Sequence, residues 1–447
     1  MKKVLIKNAR IVNEGKIKES DVFIENGVIA EIGESISPKS PDVVIFDAEG
    51  TYLLPGLIDD QVHFREPGLT HKDTIEAGSK AAVAGGITSF FEMPNTLPQT
   101  TTIELLEEKF QMAAESSYAN YSFMFGGTND NLEEILKVDP KRTAALKLFL
   151  GSSTGNMLVD DEKVLEEIFS KSPLLIAVHC EDEKTIQENL QKAIEQFGED
   201  IPMELHSKIR SEKACYLSSS KAVALAKKTG ARLHVFHLST AKEIGLFSNK
   251  KPLKDKKITA EVCIHHLWFN DSDYAKKGTF IKWNPAVKTK KDQEALLKGL
   301  LDDHIDVVAT DHAPHTKEEK KNKYTKAPSG GPLVQHALPA MLQFHHQGKI
   351  SLEKIVEKMC HNPAILYQIK DRGFIREGYK ADLVLVDLNA PWAVQPDNIV
   401  YKCGWSPFEG VTFKSRVTHT FVNGNLVYRN FKHQPFAKVA ERIEFDR

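Results

Sequence analysis

The sequence has few cysteines, no long apolar run and almost no net charge, and each shortage removes a class of protein. The five cysteines, Cys180, Cys215, Cys263, Cys360 and Cys403, are odd in number and widely spaced, with no CxxC pair. That spacing argues against a disulfide framework and against a cysteine-based zinc site, and a reducing cytoplasm is the expected compartment. No apolar stretch approaches the roughly 20 residues that cross a bilayer. The opening MKKVLIKNARIV starts with lysines but is interrupted by Lys7, Asn8 and Arg10, so it lacks the core of a secretory signal. Lys and Arg number 59 against 61 Asp and Glu, which leaves no electrostatic case for a nucleic-acid partner.

The 447 residues, 41% hydrophobic and 27% charged, suffice for two or three domains, or for one large barrel with an accessory domain. Both ends are β-rich. VLIKNARIV, DVFIENGVIAEIG and VVIFDAEG open the chain, ADLVLVDLN and SRVTHTFVNGNLVYRN close it, and Asn26-Gly27 and Asn423-Gly424 are hairpin signals. One small β-sandwich domain assembled from residues 1–54 and 373–447 is expected, although two separate β appendages fit the same pattern.

Residues 55–372 alternate between short apolar runs and amphipathic helical stretches. The runs are GLID, TSFFEM, YSFMFGG, ALKLFL, LLIAVH, RLHVFHL, ITAEVCI and DVVATDH. Eight β-then-α units point to an α/β fold of the parallel (β/α)8 TIM-type barrel class. A doubly wound sheet is the runner-up, weakened because no glycine-rich phosphate loop follows the first run. The polar, lysine-rich segment Thr316 to Pro332 reads as a long mobile loop and, at a barrel top, as a lid. IPMELHSKIRSEKA reads as a solvated helix-loop stretch.

Unusual polar residues sit at or near the C-terminal ends of these runs. They are His63, Lys147, His179, His237 and Asp311, from units one, four, five, six and eight. Catalytic groups converge at that end of a barrel. A lone histidine there is more often a hydrogen-bonded core residue than a ligand, but five such residues on five strands point to a divalent-metal centre. Lys147, inside a strand, cannot stay charged and unpaired. Either it pairs with a buried acid, or its neutral amine adds carbon dioxide to give a carbamate that ligates metal. The second option is favoured by the groups around it. His265 and His266 are adjacent, would face opposite sides of a strand, and read as structural. Cys180 should face away from His179 for the same reason.

PGLID…VHFREPG, AGGITSFFEMPNT, HCEDE, EVCIHHL and ATDHAPH resemble, in order, the signatures of the amidohydrolase superfamily and, within it, of dihydroorotases of the longer, type I-like group. The resemblance covers nearly the whole chain; MPNT and DHAPH are its specific parts. It implies interconversion of N-carbamoyl-L-aspartate and L-dihydroorotate in pyrimidine synthesis. It also implies one or two zinc ions: His63 and Asp311 at an α metal, Lys147 bridging as a carbamate, His179 and His237 at a β metal. Metal-bound hydroxide would attack, with Asp311 as general acid and base. Arg65, Asn95 and His315 would hold the substrate carboxylate, and Asn284 and Gly330 would touch the ring. Taken singly, Arg65 reads equally as a surface ion pair, Asn95 as a turn former and His315 as a loop residue.

Two positions depart from the family pattern. Gln61 stands where the first metal-binding histidine is usual, which weakens the α site, since an amide oxygen is a poor zinc ligand. Lys288 closes NPAVK where an arginine is common. These departures keep alive a catalytically weakened structural partner of aspartate transcarbamoylase. A hydantoinase or allantoinase is the other alternative. A homodimer is expected from the resemblance alone.

Overall fold

The computed structural model describes residues 3–38, 40–151 and 157–447. Eight runs among them pair in parallel. They are β1 (Leu57–Val62), β2 (Ile87–Glu92), β3 (Asn120–Phe123, resuming at Phe125–Gly126), β4 (Leu146–Phe149), β5 (Ile176–His179), β6 (Leu233–Val235), β7 (Ile258–Cys263) and β8 (Val307–Ala309). Nearly every residue of these runs is buried, as a parallel sheet covered by helices requires. β3 breaks at Met124, yet Met124 N–H donates to Glu92 O and Phe125 N–H to Ala145 O, so the sheet continues across the break.

The ring closes between β8 and β1. His63 N–H donates to His312 O at 2.7 Å, and buried Asp59 on β1 accepts from both the hydroxyl (2.6 Å) and the backbone N–H (3.2 Å) of Thr310. The result is a (β/α)8 barrel.

The terminal strands form a separate, mainly antiparallel nine-stranded sheet. Tyr52–Pro55 pairs antiparallel with Leu383–Asp387, which joins the two ends of the chain. The two Asn-Gly pairs are left-handed turns, with φ of 55° and 80° at Asn26 and Gly27 and 47° and 73° at Asn423 and Gly424. Those values suit two-residue hairpins. Asp382 ties this sheet to the barrel: it accepts from Asn120 Nδ2 on β3 and Asn423 N–H and pairs with buried Arg372. The C-terminal tail returns to the barrel, where Ile443 and Phe445 pack with Phe91, Phe236 and Tyr367.

Three segments differ from the sequence reading. IPMELHSKIRSEKA is not solvated throughout: His206 is fully buried, bonded to Tyr324 Oη (2.8 Å) and Trp283 O (2.7 Å). Thr316 to Pro332 is anchored by buried Lys320, Tyr324, Ala327 and Gly330, while Glu318, Lys321, Asn322, Lys323, Thr325 and Lys326 stay exposed. Lys320 is fully buried and donates to the carbonyls of Lys282, Pro328 and Gly330, three acceptors that replace its water shell. His265 and His266 lie on a short helix, Ile264–Trp268, because β7 ends at Cys263. Their rings are 4.1 Å apart, and His265 stacks on Trp283. Among the described residues, no helix is long and apolar enough to cross a membrane.

Candidate active site

A cavity of about 420 Å³ opens where β1, β4, β5, β6 and β8 end. His63, Lys147, His179, His237, Asp311, Arg65, Asn95, Asn284, His315 and Gly330 all line it, as does Gln61. His63 follows β1, Lys147 lies within β4, His179 ends β5, and His237 and Asp311 come two residues after β6 and β8. Arg65, His237 and Asp311 turn sharply there, with φ of 67°, 40° and 48°. Left-handed backbone at such residues costs on the order of 1–3 kcal/mol each and concentrates at functional sites.

The ring nitrogens face one another in a telling way. Asn95 Oδ1 accepts from His63 Nδ1 at 2.8 Å, which leaves the Nε2 lone pair directed at Asp311 Oδ1, 3.3 Å away. Glu181 Oε2 accepts from His179 Nε2 at 3.0 Å, which leaves the Nδ1 lone pair directed at His237 Nε2, 3.0 Å away. His237 Nδ1 is buried without a hydrogen-bond partner among the described residues. Burial first, and then neighbouring positive charge, holds the basicity of His63 and His237 far below the usual imidazole range. Burial also lowers that of His179, against the pull of Glu181. Neutral buried imidazoles that converge with a carboxylate in this way could hold a metal ion.

Lys147 stands among these groups with no hydrogen bond or ion pair among the described residues. Its Nζ lies 4.7 Å from the Phe149 ring centre and 4.2 Å from that of Phe236. Burial pushes the ammonium down to about 7, against the attraction of Asp311 and Glu261. Burial raises Asp311 to about 7, opposed by Lys147, His179 and Arg65. Gln61 is buried, and its Oε1 lies 3.7 Å from the Cys263 thiol. Cys180 does not line the cavity, as expected.

The opposite wall is cationic. Arg65 Nε donates to Pro314 O at 3.2 Å, and its Nη2 is 3.1 Å from His315 Nε2. Lys72 Nζ donates to His315 Nδ1 at 3.1 Å and pairs with Glu319 at 3.2 Å. His315 is thus held between donors and acceptors, with Ser329 O 3.0 Å from Nε2 and Glu319 3.8 Å from Nδ1. Asn284 Oδ1 is buried with no partner among the described residues. Gly330, at φ 125°, passes so close to Ala313 that a Cβ there would sit 2.4 Å from Ala313 O.

Glu181, Arg210, Lys72 and Lys320 escaped the sequence reading. Glu181 was visible in principle, because it lies two residues after His179 at the end of β5, on the same side of an extended chain. Arg210, which pairs with Glu181, sits in the stretch read as solvated.

The profile of the amidohydrolase family matches residues 52–427, and the chain belongs to that family. A protein named dihydroorotase from Methanosarcina mazei is 35% identical over 424 residues, covering 92% of this chain and 91% of its own. Another of that name, from Carboxydothermus hydrogenoformans, is 36% identical over 438 residues, covering 95% and 98%. Among solved structures, an L-hydantoinase (dihydropyrimidinase) from Arthrobacter aurescens superposes with a TM-score of 0.93 at 27% identity, covering 99% of this chain and 100% of its own.

Proposed function

We infer that the protein is a dihydroorotase, a metal-dependent hydrolase of cyclic amides that interconverts L-dihydroorotate and N-carbamoyl-L-aspartate in pyrimidine synthesis. The observation that carries this reading is a single cavity with lone-pair donors and an unpaired lysine on one side and Arg65, His315 and Asn95 on the other. The first group suits a metal; the second suits the carboxylate that dihydroorotate carries and a hydantoin ring lacks.

Lys147, His179 and His237 would hold a zinc ion, and His63 and Asp311, with Gln61 as a weak third donor, would hold a second. Bound there, zinc supplies a Lewis acid for the scissile carbonyl and lowers the pKa of water. Lys147, about half neutral near pH 7, is nucleophilic enough to take up carbon dioxide, and we assign it as the carboxylated lysine. Asp311 exists in both protonation states near neutrality. Its carboxylate takes the proton of the attacking water and returns it to the leaving ring nitrogen, and the reverse direction uses the same group. Arg65 and His315 orient the substrate carboxylate, and Asn284 Oδ1 accepts from a ring N–H. The buried free thiols fit a cytoplasmic setting.

The test is a substrate panel of dihydroorotate, dihydrouracil, hydantoin and allantoin with zinc-loaded protein. Turnover of dihydroorotate at least a hundredfold above the uncharged rings is expected. Preference for dihydrouracil or hydantoin would replace this reading with the activity named for the structural neighbour.

A further inference from the structure

Below the cavity, the barrel interior holds a polar cluster for which the reaction has no use. Asp60 on β1, His234 on β6 and Glu261 on β7 are wholly buried. β1 neighbours neither β6 nor β7, so the three side chains meet across the interior, where apolar layers usually fill such a barrel.

Their surroundings fix which atoms are committed. Thr259 Oγ1 donates to Leu233 O at 3.2 Å, so it must accept the Nδ1–H of His234, 2.8 Å away. Tyr367 donates to Asp60 Oδ2 at 2.9 Å. Glu261 Oε1 accepts from His237 N–H at 3.0 Å and from the Cys263 thiol at 3.2 Å. After these bonds, His234 Nε2, Asp60 Oδ1 and Glu261 Oε2 have no hydrogen-bond partner among the described residues.

His234 Nε2 lies 3.3 Å from Asp60 Oδ2 and 3.8 Å from Glu261 Oε2. At these separations His234 Nε2 forms ion-pair contacts but no well-formed hydrogen bond to either oxygen. An imidazole nitrogen and two carboxylates buried together need positive charge among them, supplied by protons or by a metal ion. A proton on Nε2 can serve one oxygen along one axis. A divalent ion serves all three residues at once, and bonds of about 2.0–2.2 Å place the ligand atoms of a tetrahedral ion about 3.3–3.6 Å apart. One donor atom from each residue falls within 4.8 Å of the other two.

We propose that Asp60, His234 and Glu261 form an internal divalent-metal site, separate from the cavity and of the borderline class that zinc fills. Thr259 fixes the tautomer of His234, as partners outside a metal's ligand shell commonly do. The ion is structural. Through Glu261 it also holds the backbone N–H of His237, the residue that turns at φ 40°.

The experiment removes the cavity's three imidazole donors with His63→Asn, His179→Asn and His237→Asn together. The full chain is loaded with zinc chloride and desalted, zinc per chain is counted by mass spectrometry, and folding is checked by circular dichroism. About one equivalent should stay bound and should be lost on adding Asp60→Asn or His234→Gln. Should the triple variant not fold, the same comparison in the otherwise native chain decides: Asp60→Asn or His234→Gln must lower zinc content by about one equivalent. Cobalt in place of zinc should give the intense visible bands of a four-coordinate ion in the triple variant. A folded triple variant that holds no zinc overturns the proposal and leaves a protonated His234 between the two acids. So does zinc content that is indifferent to both substitutions.

Discussion

Replacing Glu181 with glutamine tests whether the cavity is built to present a metal ligand. Glu181 Oε2 accepts from His179 Nε2 at 3.0 Å and pairs with Arg210. Burial works against its charge, but Arg210 and the His179 bond outweigh that and hold the carboxyl down at about 2. It is therefore ionised at any working pH and accepts only, which keeps the proton on Nε2 and the lone pair on Nδ1. An amide of the same shape can turn its NH₂ toward the ring. Nε2 then becomes an acceptor, and the proton moves to Nδ1, the atom that faces His237 Nε2.

A charge-assisted hydrogen bond contributes about 1.5–3 kcal/mol, and loss of a carboxylate partner behind a metal-binding histidine costs about 10–100-fold in affinity. These figures agree, since 10–100-fold is about 1.4–2.7 kcal/mol. Glu181→Gln should thus weaken zinc binding about 10–100-fold in competition with a chromophoric chelator, while turnover per zinc-loaded chain changes less. Affinity within twofold of wild type would refute the tautomer argument. Equal loss in Glu181→Asp, whose shorter side chain keeps the charge, would point to packing instead.

Asp311→Asn should lower kcat by about 10²–10⁴, the usual worth of a general acid–base group, with zinc still retained at the Lys147, His179 and His237 side on metal analysis. Arg65→Ala should raise KM for dihydroorotate about 10–100-fold, through loss of a charged hydrogen bond, and leave the KM for dihydrouracil almost unchanged. In metal-free, carbonate-free protein, Lys147 releases its proton at about 7 when folded but near the ordinary lysine value when unfolded. The unfolded chain then binds more protons between about pH 7 and 10, so stability rises with pH across that window. Denaturant midpoints at pH 7, 8 and 9 should show that rise in wild type and lose it in Lys147→Met. Gly330→Ala places a methyl group against Ala313 O at a φ only glycine adopts freely. It should displace the Pro328–Gly330 wall and raise KM at least tenfold, with a smaller loss in melting temperature.

How far the sequence could be read depended on whether a residue stands out from its neighbours or only from its environment. The eight barrel strands were legible because each is a short run whose residues are nearly all buried, so the apolar signal is unbroken. His63, Lys147, His179, His237 and Asp311 were legible because a histidine, lysine or aspartate at or near the end of such a run contrasts with the letters beside it, whereas Arg65, Asn95, Asn284, His315 and Gly330 came only with the family resemblance. Lys320 offers no such contrast. It lies in KEEKKNK, where lysine is the ordinary letter, and its burial depends on carbonyls at Lys282, Pro328 and Gly330 that converge only after folding. Arg210 is hidden in the same way, since its partner Glu181 is 29 residues away.

His265 and His266 show the opposite error. No glycine, proline or other turn residue interrupts ITAEVCIHHLW, so nothing marks Cys263 as the end of the strand, and the two rings lie together and not on opposite faces. Asp60 and His234 sit inside runs that read as plain barrel strands, and there the polar residue is a cost that the interior must neutralise. Periodicity can report that such a group faces inward. It cannot report what faces it, and the chemistry of the interior is decided by that second residue.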